Sequence, residues 1–186
     1  MHRHLATAAL VVAALLLAGC ASTVAGNSTA GTSTGRPAAG MPDDFAATIH
    51  FGNGSVPPPY HFEWELRVTE STADLSWRPG YDEAVPPWTR SVPIDRAQRE
   101  RLYDRLTEAG VFEPAPDSDP GLSGGDSGSV ELVADGRTHD TGDLGGSPQG
   151  QDIIDAVHQA ASEVVPAEVW TEMQDKQDAW GAAQPE

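Results

Sequence analysis

The sequence predicts an α+β fold, in which an antiparallel sheet of about six strands carries two or three helices on one face. Apolar and polar residues alternate strictly over residues 60–69, which is typical of a strand with one buried and one solvated face. The predicted strands come in hairpin-linked groups, with helices between and after them. Strands that are apolar on one side only favour an antiparallel sheet over a parallel sheet buried on both faces.

The first four strands are predicted from alternation and turn residues. Apolar residues at every second position over 45–51 predict a first strand, and residues 60–69 form the second. Residues 72–78 repeat the pattern after only two intervening residues, so we expect a hairpin between these strands. A weaker fourth strand near 88–94 contains Pro93, which lacks an N–H group and favours an edge position.

A helix is predicted after these strands, followed by a second hairpin. Asp95 with Gln98 three residues later forms a capping-box pattern, and Gly110 is a typical helix stop. The next strand is predicted over 130–134, with a return strand near 137–143. The Asp-Gly pair between them is a strong tight-turn signal.

Two more helices are predicted near the end of the sequence. Ser147 suits an N-cap and Pro148 suits the first helical position. Apolar residues then recur at helical spacing up to Val165. Pro166 ends this helix and begins a third one, which carries Trp170.

The first 20 residues have the features of an export signal. Arg3 gives a positive start, and residues 5–17 form a small-and-apolar run too short for a membrane-spanning helix. Leu17-Ala18-Gly19-Cys20 then resembles the lipobox of bacterial lipoproteins. The resemblance implies diacylglycerol on the Cys20 sulfur, further acylation such as palmitate, and cleavage after Gly19. We therefore expect residues 1–20 to be a lipoprotein signal peptide, with the mature protein anchored extracytoplasmically on the cell membrane.

The remaining sequence divides into a tether and a domain. Residues 21–42 are rich in Ser, Thr, Gly and Ala, which predicts a flexible linker because little apolar surface is available to offset its ordering entropy. A single globular domain is predicted over 43–182. Its segments Pro57–His61, Glu108–Phe112 and Gly124–Ser127 resemble uncharacterised lipoproteins of actinobacteria. That resemblance implies no activity and assigns no functional residue.

Composition restricts the classes of partner. Asp and Glu total 28 against 11 Lys and Arg, giving a net charge of −17, which repels phosphate backbones and disfavours nucleic acid. Cys20 is the only cysteine, so neither an intramolecular disulfide nor a cysteine metal cluster can form. The sequence contains no glycine-rich phosphate loop, and no cofactor is expected.

Two groups of residues are candidate metal ligands. His61, Glu63 and Glu65 occupy one face of the second strand and could converge on a divalent ion. The alternative is an ordinary solvated strand face. Three further carboxylates fall in a Gly-rich loop and suggest calcium, although their spacing departs from the calcium-hand pattern and favours a simple acidic turn. These residues are Asp117, Asp119 and Asp126.

The tryptophans and one short motif are further candidates for a functional role. Trp64 and Trp77 share the apolar phase of their strands and are predicted in the core. Trp88 and Trp170 are less constrained and are candidate ligand-stacking residues. Gly125–Gly128 resembles the GDSG around the nucleophile of chymotrypsin-like proteases, but that family's His-Cys motif and two-barrel length are missing. A loop entering a strand is the simpler interpretation.

Together these patterns predict a membrane-anchored envelope lipoprotein whose domain is a non-catalytic binding or accessory module. Its expected partners are the membrane, through Cys20, and an envelope protein or glycan. The alternative hypothesis is a small envelope hydrolase or a divalent-metal-binding protein that uses His61, Glu63 or the aspartates.

Overall fold

A computed structural model describes residues 40–117 and 124–184 of the chain. The predicted signal peptide, nearly all of the linker and Asp119 lie outside the described residues. The predicted boundaries of leader, linker and domain therefore stay predictions.

Six strands form a single antiparallel sheet in the order β4-β3-β2-β1-β5-β6. Every strand pair is antiparallel, which confirms the predicted α+β class. The strands are β1 (Ala46–Gly52), β2 (Phe62–Val68), β3 (Thr72–Pro79), β4 (Trp88–Pro93), β5 (Ser127–Ala134) and β6 (Arg137–Asp140).

β2 begins two residues later than the alternation predicts. Pro58–Tyr60 form a 3₁₀ turn, and the proline rings favour that compact geometry over a ladder. The chain enters the sheet only at Phe62. The predicted hairpin between the second and third strands is confirmed by the pairing of Val68 with Ala73.

Three helices follow the predicted capping signals: α1 (Arg96–Glu108), α2 (Pro148–Val164) and α3 (Ala167–Ala182). The Asp95 carboxylate accepts a hydrogen bond from the Gln98 N–H, and the Gln98 side chain accepts one from the Asp95 N–H, which completes the capping box. Ser147 caps α2 by accepting from the Gly150 N–H at 3.0 Å. Pro166 separates α2 from α3 because its ring cannot continue the preceding helix.

One apolar core lies between the sheet and the helices. Alternate residues of the four central strands point into it, and α1, α2 and α3 supply the opposite side. Trp64 and Trp77 are both 3% exposed, as predicted for the core. Large side chains that are almost completely buried include Phe45, Ile49, Leu66, Leu75, Leu102, Leu106, Leu132 and Met173.

Arg99 is a buried arginine of α1, with only 4% of its surface exposed. One of its guanidinium N–H groups donates to the Phe45 carbonyl at 2.5 Å. Arg99 therefore ties α1 to the residue that precedes β1. Arg96 and Arg105 do lie at the surface, each within ion-pair distance of acidic side chains.

The predicted turn between β5 and β6 is confirmed by its backbone. Asp135 and Gly136 both have positive φ, 54° and 68°, as a two-residue turn of this hand requires. The Asp44 carboxylate accepts hydrogen bonds from both of their N–H groups, at 2.9 and 2.6 Å. This contact fixes the hairpin against the segment that leads into β1.

Within residues 40–117 and 124–184, none of the helices combines the length and apolar character needed to cross a bilayer.

Candidate functional site

The second face of the sheet is polar, and we call it the open face. Because strand side chains alternate, each residue that points toward the helices is followed by one that points away from them. The strand registers align these outward residues across the sheet. The open face carries Thr48, His50, Glu63, Glu65, Arg67, Asp74, Ser76, Arg78, Ser127, Ser129, Glu131, Thr138 and Asp140.

A cleft of about 620 Å³ lies on this face, and we call it the open-face cleft. Small residues occupy its centre on β1 and β5: Gly52, Ser127 and Ser129. Longer polar side chains surround them, and the volume is in the range of small-ligand sites. These surrounding residues are His50, Glu63, Glu65, Ser76, Arg78, Asp140 and Asp143.

The centre of the cleft depends on the missing side chain of Gly52. Gly52 is paired with Ser127 on one side and with Glu63 on the other. A Cβ atom at Gly52 would lie 2.8 Å from the Ser127 hydroxyl oxygen. The Ser127 hydroxyl also donates a long hydrogen bond, 3.4 Å, to the Gly52 carbonyl. Because glycine has no side chain, the space above Gly52 on the open face stays free, and this space forms the middle of the cleft.

Ser129, His50 and Glu65 lie side by side across β5, β1 and β2. The order hydroxyl, imidazole and carboxylate is also that of a catalytic triad. His50 Nδ1 is 3.5 Å from a Glu65 oxygen, but in the described structure the Ser129 hydroxyl makes no hydrogen bond to His50. β1 and β5 are hydrogen-bonded in the sheet, so the nearby N–H groups are engaged and not directed at a reacting oxygen. In the described structure this row has the order of a triad without its hydrogen bond between hydroxyl and imidazole.

The glutamates of the cleft are already accompanied by positively charged or neutral donors. Glu65 accepts a hydrogen bond from Arg67 at 3.2 Å and also lies beside His50. Glu63 lies 3.5 Å from His61 and is paired in register with Arg78. This side of the cleft is therefore of mixed charge, although the whole chain is strongly acidic.

Arg78 lines the cleft and has one unsatisfied donor. Its side chain is half-buried, and its Nε atom is shielded from water without an acceptor among the described residues. A buried donor without a partner is unfavourable, by about 1–3 kcal/mol. Arg78 also supplies positive charge to the cleft beside Glu63.

His61 is shielded from solvent, whereas the sequence predicts it on a solvated strand face with Glu63 and Glu65. It precedes β2 and is only 5% exposed. Its Nδ1 atom lies 3.1 Å from the Asn53 carbonyl. Its Nε2 atom is 3.5 Å from a Glu63 oxygen and has no hydrogen-bond partner in the described structure. His61 and Glu63 therefore do lie together, but His61 is buried.

Tyr81 covers the outer side of His61. The two rings are stacked with centroids 3.7 Å apart and planes 7° from parallel. The Tyr81 hydroxyl donates to the Val56 carbonyl at 2.8 Å. Even so, Tyr81 is 52% exposed. Sequence reasoning missed this residue, because it lies in a loop and follows no periodic pattern.

The other candidate metal ligands are dispersed. Asp126 is engaged in structural contacts, since its carboxylate accepts from the Gly54 N–H at 2.9 Å and its N–H donates to Gln151. Asp117 is exposed and Asp119 lies outside the described residues. Within the part of the chain that is described, no three His, Cys, Asp or Glu side chains are grouped to hold a metal ion.

Trp88 and Trp170 lie on the helix-covered side rather than on the open face. Trp88 is paired with the core residue Trp77 and packs partly against the core. Trp170 of α3 contacts Trp64 and Trp77 edge-on, with centroids 5.3 and 6.5 Å apart. The sequence-based candidates for ligand stacking therefore serve mainly in packing.

His158 of α2 belongs to this aromatic cluster, behind the cleft. Its ring centroid is 4.7 Å from Phe51 and 5.5 Å from Trp64. Burial lowers the pKa of His158 below its ordinary value, and the charges of Asp126 and Asp155 oppose that shift. A neutral imidazole is therefore the favoured form at this position.

The GDSG segment is the start of a strand, as the simpler interpretation predicted. Gly125 has a positive φ of 93°, and β5 begins at Ser127. β5 is three residues longer at its start than the alternation predicts, because pairing with β1 continues to Ser127. The Ser127 side chain thus lies at the centre of the cleft and contacts the backbone of Gly52.

The sequence alone signalled the polarity of the cleft residues but not their grouping. Alternation already places His50, Ser129 and Ser76 opposite the core. Their proximity depends on β5 pairing with β1, which joins segments about 80 residues apart. No short-range pattern encodes that pairing.

No protein-family model matches this sequence, and no match was found among curated proteins.

Proposed function

We propose that this chain is a lipid-anchored protein of the outer surface of a bacterial cell membrane, and that its open-face cleft binds a polar envelope ligand without transforming it. The sheet presents the ligand site, and the linker connects it to the anchor. The observation that carries the binding proposal is a 620 Å³ cleft lined by hydroxyl, carboxylate, imidazole and guanidinium groups on a sheet face that no described helix covers.

Support for the anchor comes from the order of signals in residues 1–20. A positive start, an apolar run of 13 residues and Leu17-Ala18-Gly19-Cys20 follow one another without a break. One acyl chain holds a protein only marginally, whereas two or more give stable anchoring, which is the purpose of a diacylated cysteine.

Support for binding rather than catalysis comes from what the cleft residues already contact. Glu65 is shared between His50 and Arg67, and within the described structure the Ser129 hydroxyl is not held by a base. A nucleophile needs a base within hydrogen-bond reach and donors aimed at the developing oxyanion. The row of Ser129, His50 and Glu65 meets neither requirement.

The composition of the cleft favours a polar ligand over a protein partner. The centres of protein interfaces are enriched in aromatic and other apolar anchors. The centre of this cleft carries Gly52, Ser127 and Ser129 instead. Hydroxyls and charged groups of both signs are suited to a ligand that donates and accepts many hydrogen bonds.

The anchor is tested by mass spectrometry of the protein isolated from membranes. We expect a mature chain that begins at Cys20 and carries a diacylglycerol, and a Cys20→Ser variant that is found in the soluble fraction. An unacylated mature chain in the membrane fraction would contradict the anchoring proposal.

The binding site is tested by co-sedimentation of the detergent-solubilised full-length protein with purified cell-wall fragments. Ser76→Trp fills the cleft from β3, whereas Thr138→Trp adds the same bulk on the open face of the edge strand β6, outside the cleft. We expect the first variant to bind the fragments with about tenfold weaker affinity than wild type, a loss of about 1.4 kcal/mol. The Thr138→Trp variant should sediment like wild type.

Melting temperatures of both variants provide the folding control. Equal sedimentation of the Ser76→Trp and Thr138→Trp variants, both folded, would show that the cleft is not the binding site. Failure of the wild-type protein to sediment would contradict the proposed function itself.

A further inference from the structure

We propose that the ligand of the open-face cleft is a saccharide, and that Tyr81 is the platform on which one sugar ring stacks. This inference rests on the proposed function, since it names the ligand class of the same cleft.

Tyr81 is an exposed aromatic ring that is nevertheless fixed in place. His61 covers one face in a nearly parallel stack at 3.7 Å, and the hydroxyl is tied to the Val56 carbonyl at 2.8 Å. A side chain that is 52% exposed with one face covered has its other face in water. The ring of Tyr81 is therefore held at both its face and its hydroxyl.

The support beneath Tyr81 is itself rigid. His61 is buried and its Nδ1 atom lies within hydrogen-bond distance of the Asn53 carbonyl. The Asn53 side chain donates to the Tyr60 carbonyl at 2.9 Å and accepts from the Phe62 N–H at 2.8 Å. The start of β2 and the preceding 3₁₀ turn are thereby held together, and the platform is preorganised before any ligand arrives.

His61 also connects the platform to the cleft. Its Nε2 atom is buried, has no hydrogen-bond partner among the described residues, and lies 3.5 Å from a carboxylate oxygen of Glu63. Glu63 lines the cleft and neighbours Arg78 in register. One imidazole therefore contacts both the aromatic platform and a carboxylate that lines the cleft.

This combination fits the two-sided surface of a sugar ring. A pyranose presents C–H groups on one face and hydroxyls around its edge. The face of an aromatic ring is negative and attracts the weakly positive C–H hydrogens. The edge hydroxyls of the bound saccharide would donate to Glu63 and Glu65 and accept from the guanidinium group of Arg78, all of which line the cleft.

Other ligand classes fit the same groups less well. An anion would be repelled by a chain of net charge −17. A metal ion lacks a group of three ligands in the described part of the chain. An organic cation would have to compete with Arg67, His50 and His61 for the glutamates they already contact.

The test measures saccharide binding to the detergent-solubilised full-length protein by ligand-observed NMR. The probes are neutral tetrasaccharides, namely the β-1,4-linked tetramers of N-acetylglucosamine, glucose and mannose, and maltotetraose, at about 10 mM, ten times the half-saturation point of a millimolar site. Tyr81→Ala removes the platform, Tyr81→Phe keeps the ring, and Tyr60→Ala removes the other strongly exposed tyrosine, which is 69% exposed.

We expect at least one probe to bind the wild-type protein, with saturation transfer strongest at ring C–H protons of one sugar. Tyr81→Ala should weaken this binding about tenfold. Tyr81→Phe and Tyr60→Ala should stay within about threefold of wild type, a change of roughly 0.7 kcal/mol. Equal affinity of the Tyr81→Ala and Tyr60→Ala variants would overturn the platform assignment.

The outcomes separate this inference from the proposed function. If no probe binds while cell-wall sedimentation remains sensitive to Ser76→Trp, the cleft binds another kind of ligand and the saccharide inference fails alone. If sedimentation is also absent in the wild-type protein, the proposed function and the inference fail together.

Discussion

The two faces of the sheet are built from the same strands but behave differently. In β2, Leu66 is completely buried under the helices, while its neighbour Arg67 points into solvent. The helix-covered face holds the fold together through apolar contacts. The open face carries charged and hydroxyl groups whose replacement leaves those contacts intact. Alternate residues of the same strands therefore face the core and the solvent, and only the first set carries the apolar packing.

The energetic contrast follows from burial. Burying a large apolar side chain is worth about 1.5–3 kcal/mol, whereas an exposed ion pair contributes about 0–1 kcal/mol. The pair between Arg67 and Glu65 is of the second kind, since the arginine side chain is 60% exposed. The open face can therefore change in composition with little effect on folding, which leaves it available for ligand recognition.

The largest expected effect is on the helix-covered face. Leu66→Ala would leave a cavity at the centre of the core and should lower the free energy of unfolding by about 2–5 kcal/mol. The adjacent open-face substitution Arg67→Ala should change it by less than about 1 kcal/mol. Urea denaturation followed by tryptophan fluorescence measures both. Similar losses for the two variants would show that the faces do not differ as described.

A second effect tests how closely α2 approaches the segment that follows β6. A Cβ atom on Gly150 would lie 1.8 Å from the Leu144 carbonyl oxygen, which is far inside contact distance. Gly150→Ala should therefore lower the free energy of unfolding by about 1–3 kcal/mol as α2 shifts. Gln149→Ala, at an exposed neighbouring position, serves as the control in the same denaturation assay. A stable Gly150→Ala variant would mean that this approach is looser than in the structure.

The helix-covered face was also the part of the molecule that the sequence predicts well. Strict alternation over β2 and β3 identified the buried set, including Trp64 and Trp77. Local signals at Asp95 and Ser147 placed the starts of α1 and α2 to the residue. These features are determined by neighbours within a few positions in the sequence, which is why they can be predicted without a structure.

The open face could not be predicted to the same extent. Alternation makes its residues polar, but their grouping depends on strand order, and β5 joins the sheet beside β1 after α1 and a long loop. His61 was expected to be solvated, but the ring of Tyr81 stacks on it and it is only 5% exposed. Tyr81 gave no signal, since its fixed position arises from contacts with His61 and Val56.

A smaller effect is expected at the edge of the helical layer, where the Asp95 capping box meets solvent. Asp95→Ala removes the acceptor for the Gln98 N–H, 2.8 Å away, and should lower the free energy of unfolding by about 1 kcal/mol. Asp95→Asn keeps a side-chain oxygen and should lose less. Thermal unfolding compares the two. An Asp95→Ala variant as stable as wild type would show that the cap contributes little here.

The smallest expected effect concerns His158 of α2, which lies on the helix-covered side behind the cleft. Burial lowers the pKa of this imidazole in the folded state, with partial opposition from Asp126 and Asp155. The unfolded chain then binds a proton more readily than the folded chain, so stability is complete above the ordinary histidine pKa of about 6.5 and falls as the pH drops below it.

His158→Gln cannot titrate, and comparison with it cancels the contributions of all other groups. The free energy of unfolding of both proteins is measured by urea denaturation from about pH 7 to about pH 5. As the pH falls, the wild-type value should decrease relative to that of His158→Gln. A stability difference that stays constant over this interval would show that His158 is not shielded from water in the folded protein.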